Sequence, residues 1–131
     1  MISNITTQVI NALVELSALP PGESRAVSVI AKKINAPREY LSKVLQGLVR
    51  EGVVVSQKGL KGGFSLAKAP KDICLYDVFK HLENLESLEG CFMKRSACSK
   101  TNVCAAHQRW KSVRTVYMDF LVNTTIADLK K

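Results

Sequence analysis

Residues 25–67 read RAVSVIAKKINAPREYLSKVLQGLVREGVVVSQKGLKGGFSLA, and the order of signals within them decides the fold. Ser28 is expected to cap a short helix whose apolar stripe is Val29, Ile30, Ala31 and Ile34. Asn35-Ala36-Pro37 turns the chain, and Pro37 suits the first position of the next helix, where its missing N–H costs nothing. In that helix Leu41, Val44, Leu45 and Leu48 recur at helical spacing and face inward. Gly52 supplies the left-handed residue that ends it. Two β-rich runs follow, Val53–Val55 and Gly63–Ala67, joined by Ser56–Gly62. Helix, turn, helix, glycine stop and hairpin in this order predict a winged helix-turn-helix, a mainly α fold with a small β-hairpin wing.

The outward face of the second motif helix carries Arg38, Glu39, Tyr40, Ser42, Lys43 and Gln46, short polar and cationic groups of the kind that reach base edges and phosphates in a major groove. The wing adds Lys58 and Lys61, with Gly62 permitting close backbone approach, and these lysines suit a minor groove or phosphates. Ser28 is counted with the DNA-facing groups. Charge agrees. Residues 25–71 hold ten Lys/Arg against Glu39 and Glu51, an excess as large as the +8 of the whole chain. A basic block confined to one motif is the footprint of a polyanion, here a double-stranded DNA operator. A winged-helix module for RNA or protein contacts is the alternative.

Outside the motif, Ile5, Val9, Leu13 and Leu16 predict a mostly buried helix over Asn4–Leu19, stopped by Pro20-Pro21-Gly22. A second predicted helix, Leu75–Leu85, links to the segment CFMKRSACSKTNVCAAH at 91–107. Cys91, Cys98, Cys104 and His107 stand there with C-x6-C-x5-C-x2-H spacing. Thiolates and neutral imidazole bind zinc and iron–sulfur clusters. Four such ligands would satisfy tetrahedral zinc, the wide spacing better suits a larger inorganic core, and a metal-free thiol sensor also fits. Cys74, between Ile73 and Leu75, is read as a buried small hydrophobe, and His81 as surface or filler.

The last helix is predicted from about Val103 to Asp128. Trp110, Val113, Tyr117 and Phe120 alternate in threes and fours, with Leu121 widening the stripe. A helix of about 25 residues would be ~37 Å long, too long for this small domain to cover, so pairing with the same helix of a second subunit is expected. The division is then 1–72 for DNA reading, 73–104 for the linking helix and cysteine segment, and 105–131 for dimerisation and tail.

Several classes are excluded or disfavoured. With 131 residues the chain can bury a core without disulfide staples, and the clustered cysteines do not suggest a disulfide framework. No stretch approaches a membrane span and the N-terminus has no basic leader, so a cytoplasmic protein is expected. There is no Ser-His-Asp-like set, no phosphate loop and no promising carboxylate pair, so neither catalysis nor a small-molecule substrate is expected.

The run YLxxxLxxLxxxG at Tyr40–Gly52 and GxxGGFxLA at Gly59–Ala67 resemble the IscR/NsrR/CymR group of bacterial winged-helix transcription regulators, and the resemblance continues through the cysteines and the last helix. It implies a homodimeric DNA-binding repressor or activator. It also implies an iron–sulfur cluster held by Cys91, Cys98 and Cys104, with His107 matching the fourth ligand of the IscR-like branch. The 2Fe–2S form is favoured, and 4Fe–4S is the second choice. The signal would be cluster supply, nitric oxide or redox state. Two departures stand out: the first interval is one residue longer than the group's usual C-x5-C, and the first acid in the chain is Glu15, so Thr7 and Gln8 offer no carboxylate from the first helix.

Overall fold

A computed structural model of the chain describes residues 2–89, 92 and 105–130. The first helix, α1 (Asn4–Ser17), is capped by Ser3, whose side chain accepts from the Thr6 N–H. Val9, Ala12, Leu13 and Leu16 lie on its buried face. It stops two residues earlier than Leu19 suggested, with the Ala18 and Leu19 N–H groups still bonded to the last turn.

α2 (Val27–Ile34) and α3 (Arg38–Arg50) form the helix-turn-helix. Ser28 does not cap α2. The cap is Ala26, without a side-chain bond, and Ser28 is an exposed residue of the first turn. The cause is nonlocal: Arg25 exchanges both backbone hydrogen bonds with Phe64, at 2.9 Å each, which keeps the chain extended up to Ala26. Asn35 ends α2 in the left-handed region (φ 56°), a conformation that asparagine tolerates. Pro37 precedes α3 as its cap rather than serving as its first residue. Leu41, Leu45 and Leu48 are fully buried. Gly52 (φ 77°) closes α3: its own N–H bonds to Val49 O and the Val53 N–H to Leu48 O, satisfying two carbonyls of the last turn.

β1 (Val54–Gln57) and β2 (Gly63–Leu66) pair antiparallel, with Val54 opposite Leu66 and Gln57 opposite Gly63. Arg25 pairs onto the outer edge of β2, so the wing is rooted in a third short extended segment. Gly63 (φ 143°) is required at that contact, because a Cβ there would collide with the Arg25 backbone.

After a 3-10 turn at Pro70–Asp72 come α4 (Leu75–Leu82), α5 (Glu86–Glu89), α6 (His107–Asn123) and α7 (Ile126–Leu129). Cys74 is not a core hydrophobe. It is the half-buried cap of α4, its N–H and Sγ both turned to Asp77 Oδ2. The linking helix likewise breaks after Leu82 rather than running to Leu85.

The terminal helix is also shorter than expected. α6 spans 17 residues, about 25 Å, and the chain becomes extended at Thr124 and Thr125. Thr125 and Asp128 then cap α7 reciprocally. The extended pair docks beside the start of α4, where the Leu75 N–H donates to Thr124 O and the Ile126 N–H to Ile73 O, both at 2.9 Å. Ile73, Val78, Phe79, Leu121 and Ile126 join the residues of α1 to α3 in one continuous core.

The junction after α4 is clasped to the N-terminus. Glu83 Oε1 accepts from the Ser3 N–H (2.7 Å) and from the hydroxyl of fully buried Thr6 (2.8 Å). Burial on its own would raise the Glu83 pKa, but these hydrogen bonds outweigh it and hold it below the ordinary glutamate value. A carboxyl with a lowered folded-state pKa contributes stability that is present above its unfolded value and is lost as pH falls through the folded value. Denaturant titrations of wild type and Glu83→Gln should therefore differ most at neutral pH and converge as the medium is taken from about pH 6 to about pH 3. A pH-independent difference would show that the charge contributes nothing.

Candidate nucleic-acid interface and cysteine segment

Burial of Leu41, Leu45 and Leu48 leaves Arg38, Glu39, Tyr40, Lys43 and Gln46 exposed on α3, with Ser42 half-buried. Arg38 Nη1 lies 2.7 Å from Glu39 Oε1. Both side chains are well exposed, so the pair is weak and Arg38 can exchange its carboxylate for a phosphate. Glu39 stands in the first turn, where the helix dipole favours an anion.

On the wing, Lys58 and Lys61 are exposed. The tip is a closed turn in which the Gly62 N–H donates to Gly59 O (3.0 Å), and Gly59 takes φ 108°. Gly62 is there for packing: a Cβ would strike the carbonyl of Gln57. The base is held by Ser24 Oγ donating to Gln57 Oε1 (2.9 Å). Two exposed residues were missed from the sequence. Arg25 is fixed by its pairing to Phe64, a contact that no local pattern signals. Leu60 sits at the wing tip, and an apolar residue between glycines and lysines was a readable sign.

α3 is also tied to the second half of the chain. The His81 ring of α4 lies over Gly47: a Cβ at Gly47 would come 2.5 Å from its Nε2. His81 Nδ1 is 3.6 Å from Glu51 Oε1. Alanine in a helix interior is ordinarily about 1 kcal/mol better than glycine. Gly47→Ala should thus stabilise a His81→Ala background by about that amount and give clearly less, or a loss, when His81 is present. Equal effects in both backgrounds, read from chemical melts as a double-mutant cycle, would mean that the ring does not bear on α3.

α4 packs in turn on α6, where the Phe79 and Tyr117 rings meet edge-on with centroids 6.4 Å apart. Tyr117 and Trp110 are half-buried, while Val113, Val116 and Phe120 are 50 %, 69 % and 48 % exposed. Ser112, Val113, Val116, Tyr117 and Phe120 line a shallow, almost wholly apolar hollow of about 590 Å³. Leu121, expected on the same outer stripe, is fully buried in its own core and takes no part in it.

Cys91, Cys98 and Cys104 lie outside the described residues. His107 is the first residue of α6 and is partly buried. One turn further, Trp110 packs on Phe92 with ring centroids 5.4 Å apart, and its Nε1 is buried without a hydrogen-bond partner among the described residues. Arg114 Nη1 donates to Leu88 O (3.1 Å), fastening α6 to α5 across the cysteine segment. Among the described residues no group of three or more His, Cys, Asp or Glu could hold a metal, and no helix is long and apolar enough to cross a membrane.

Residues 2–131 match the family model Rrf2, described as iron-dependent transcriptional regulator. A candidate HTH-type transcriptional regulator of Aquifex aeolicus is 38% identical over 122 residues, covering 90% of this chain and 85% of its own. One from Synechocystis sp. is 32% identical over 120 residues, covering 92% and 80%. Among solved structures, CymR, the global cysteine regulator of B. subtilis, superposes with a TM-score of 0.81 at 23% identity, over 98% of this chain and 95% of that one. T. potens IscR gives 0.76 at 23% identity, over 98% and 85%. The helix-turn-helix, its paired wing and these matches together place the chain in the Rrf2 family of transcriptional regulators, DNA-binding proteins rather than enzymes.

Proposed function

We propose that the chain acts as a homodimer on two-fold DNA sites, with operator affinity set by an iron–sulfur cluster on Cys91, Cys98, Cys104 and His107. The single observation that carries this reading is that one helix serves both ends of it. α6 begins at His107, and its exposed apolar strip of Val113, Val116 and Phe120 starts within two turns. Two copies meeting along this strip would form a two-fold dimer, which suits two-fold DNA sites whose half-sites lie one helical turn, roughly 34 Å, or a multiple apart. In each, Arg38, Tyr40, Ser42 and Lys43 face the major groove, with Glu39 at the base edges. Lys58 and Lys61 follow the backbone into the minor groove, the latter beside Gly62, and Ser28 contacts a phosphate from α2.

The donor set fits the group: thiolates and imidazole both ligate iron–sulfur centres, and the matched family is described as iron-dependent. A bound cluster supplies an iron centre sensitive to oxidants, nitric oxide and iron–sulfur supply. The work of the chain is to pass on whether the ligands are engaged. Engaged ligands tie residues 91–104 to the start of α6. From there α6 bears on α4 through Tyr117 and Phe79, and α4 on α3 through His81 and Gly47. A coupling of ~1–3 kcal/mol along this route changes DNA affinity five- to 150-fold. The division of labour is then 1–72 for DNA, 73–104 for sensing and 105–131 for pairing.

Anaerobic purification followed by iron, sulfide and zinc counts tests the reading. Iron with acid-labile sulfide and a visible chromophore is expected. Zinc without sulfide, or no metal at all, would replace it with a zinc-stabilised or metal-free regulator.

A further inference from the structure

Leu60 is 108 % exposed, so its side chain stands fully in solvent. It occupies, with Lys61, the centre of the turn that the Gly62 N–H closes on Gly59 O. Gly62 has no room for a side chain, and the hairpin beneath is bonded to Arg25 and, through Gln57, to Ser24. The wing thus presents one aliphatic side chain between two exposed lysines, Lys58 and Lys61.

We propose that Leu60 is an apolar wedge that enters the minor groove beside each half-site and selects an easily opened base step there. This rests on the reading that the wing lies on duplex DNA, for which the flanking lysines give the charge complementarity. Lysines at a tip need no leucine to meet phosphates. Burying a leucine side chain between bases, however, is worth about tenfold or more in affinity. Apolar side chains inserted in a minor groove unstack a step and kink the duplex. Pyrimidine–purine steps open most easily, so preference for TA or CA/TG at this position would come from deformability rather than from a base-edge hydrogen bond.

The probe is the tightest duplex obtained by selecting a pool randomised over 26 positions with the wild-type protein, with 2-aminopurine placed at the step flanking the half-site. Leu60→Gln and Leu60→Ala should bind it about tenfold more weakly, with an unchanged salt slope, and should lose the fluorescence rise of the wild-type complex. Leu60→Met should retain both. Lys58→Ala should instead lower the salt slope by about one ion. Because the Leu60 side chain is fully exposed, thermal melts of these variants should coincide. Wild-type affinity and fluorescence in Leu60→Gln, with an altered slope in Lys58→Ala, would overturn the wedge and leave the wing on DNA. No effect from Leu60, Lys58 or Lys61 substitutions would remove the wing from the interface and both readings with it.

Discussion

Cys98→Ala should yield a colourless protein that holds neither iron nor sulfide and binds operator DNA like the cluster-free wild type. Cys98 is the middle thiol of the C-x6-C-x5-C run. Removing it leaves two thiols and one imidazole, too few protein ligands to complete an iron–sulfur core. The expected shift in operator affinity is the full coupling, five- to 150-fold for ~1–3 kcal/mol. Cys74→Ser is the control. That residue caps α4 against Asp77, serine caps well, and full iron content is expected. His107→Cys tests the fourth position separately, because imidazole ligation raises cluster potential relative to thiolate, so the variant should be harder to reduce. Full iron and sulfide in anaerobic Cys98→Ala would dissolve the proposed site.

Val116→Glu should convert a dimer to a monomer. Val116 is the most exposed residue of the α6 strip, so a carboxylate there is harmless to the isolated fold. In a two-fold interface each substitution appears twice, and an unpaired charge buried against apolar groups costs about 3 kcal/mol or more. The dimer Kd should rise at least about a hundredfold, visible by sedimentation at micromolar protein. Binding to a two-half-site duplex should fall steeply, while contact with a single half-site persists. Leu121→Glu would not discriminate, since Leu121 is fully buried in its own core and a charge there unfolds the chain. A Val116→Glu protein that sediments as wild type would place the dimer contact elsewhere.

The reading motif was legible because its signals are local. Leu41, Leu45 and Leu48 keep helical spacing, Gly52 marks the stop, and Gly59 and Gly62 mark the hairpin tip, each within a few residues of what it governs. The misplaced start of α2 has a nonlocal cause. Ser28 is a better intrinsic cap than Ala26, but pairing of Arg25 with Phe64, across 39 positions, fixes where α2 can begin. The apolar rhythm of α6 continues past Asn123 to Ile126, which hid the break. The Thr125-Ile126-Ala127-Asp128 cap signature was nevertheless present and outvoted by periodicity. The Glu83 clasp on Ser3 and Thr6 joins residues 80 and 77 positions apart, which no sequence pattern announces. At the candidate site, ligand types could be read directly. The outward set on α6 needed the structure to separate Val116 and Phe120 from Leu121.

The bridge of Cys74 to Thr125 has a topological consequence. Residues 74–125 begin and end at one neck, closed by the bonds between Leu75 and Thr124 and between Ile73 and Ile126, and between those ends α4 is held to α1 and α3 through Glu83, His81 and the shared core. Because α4 and α6 each contribute to the shared core on either side of residues 90–106, a change of length confined to that interval need not move the neck. The additional residue between Cys91 and Cys98 falls inside that interval, so it is compatible with an unaltered neck.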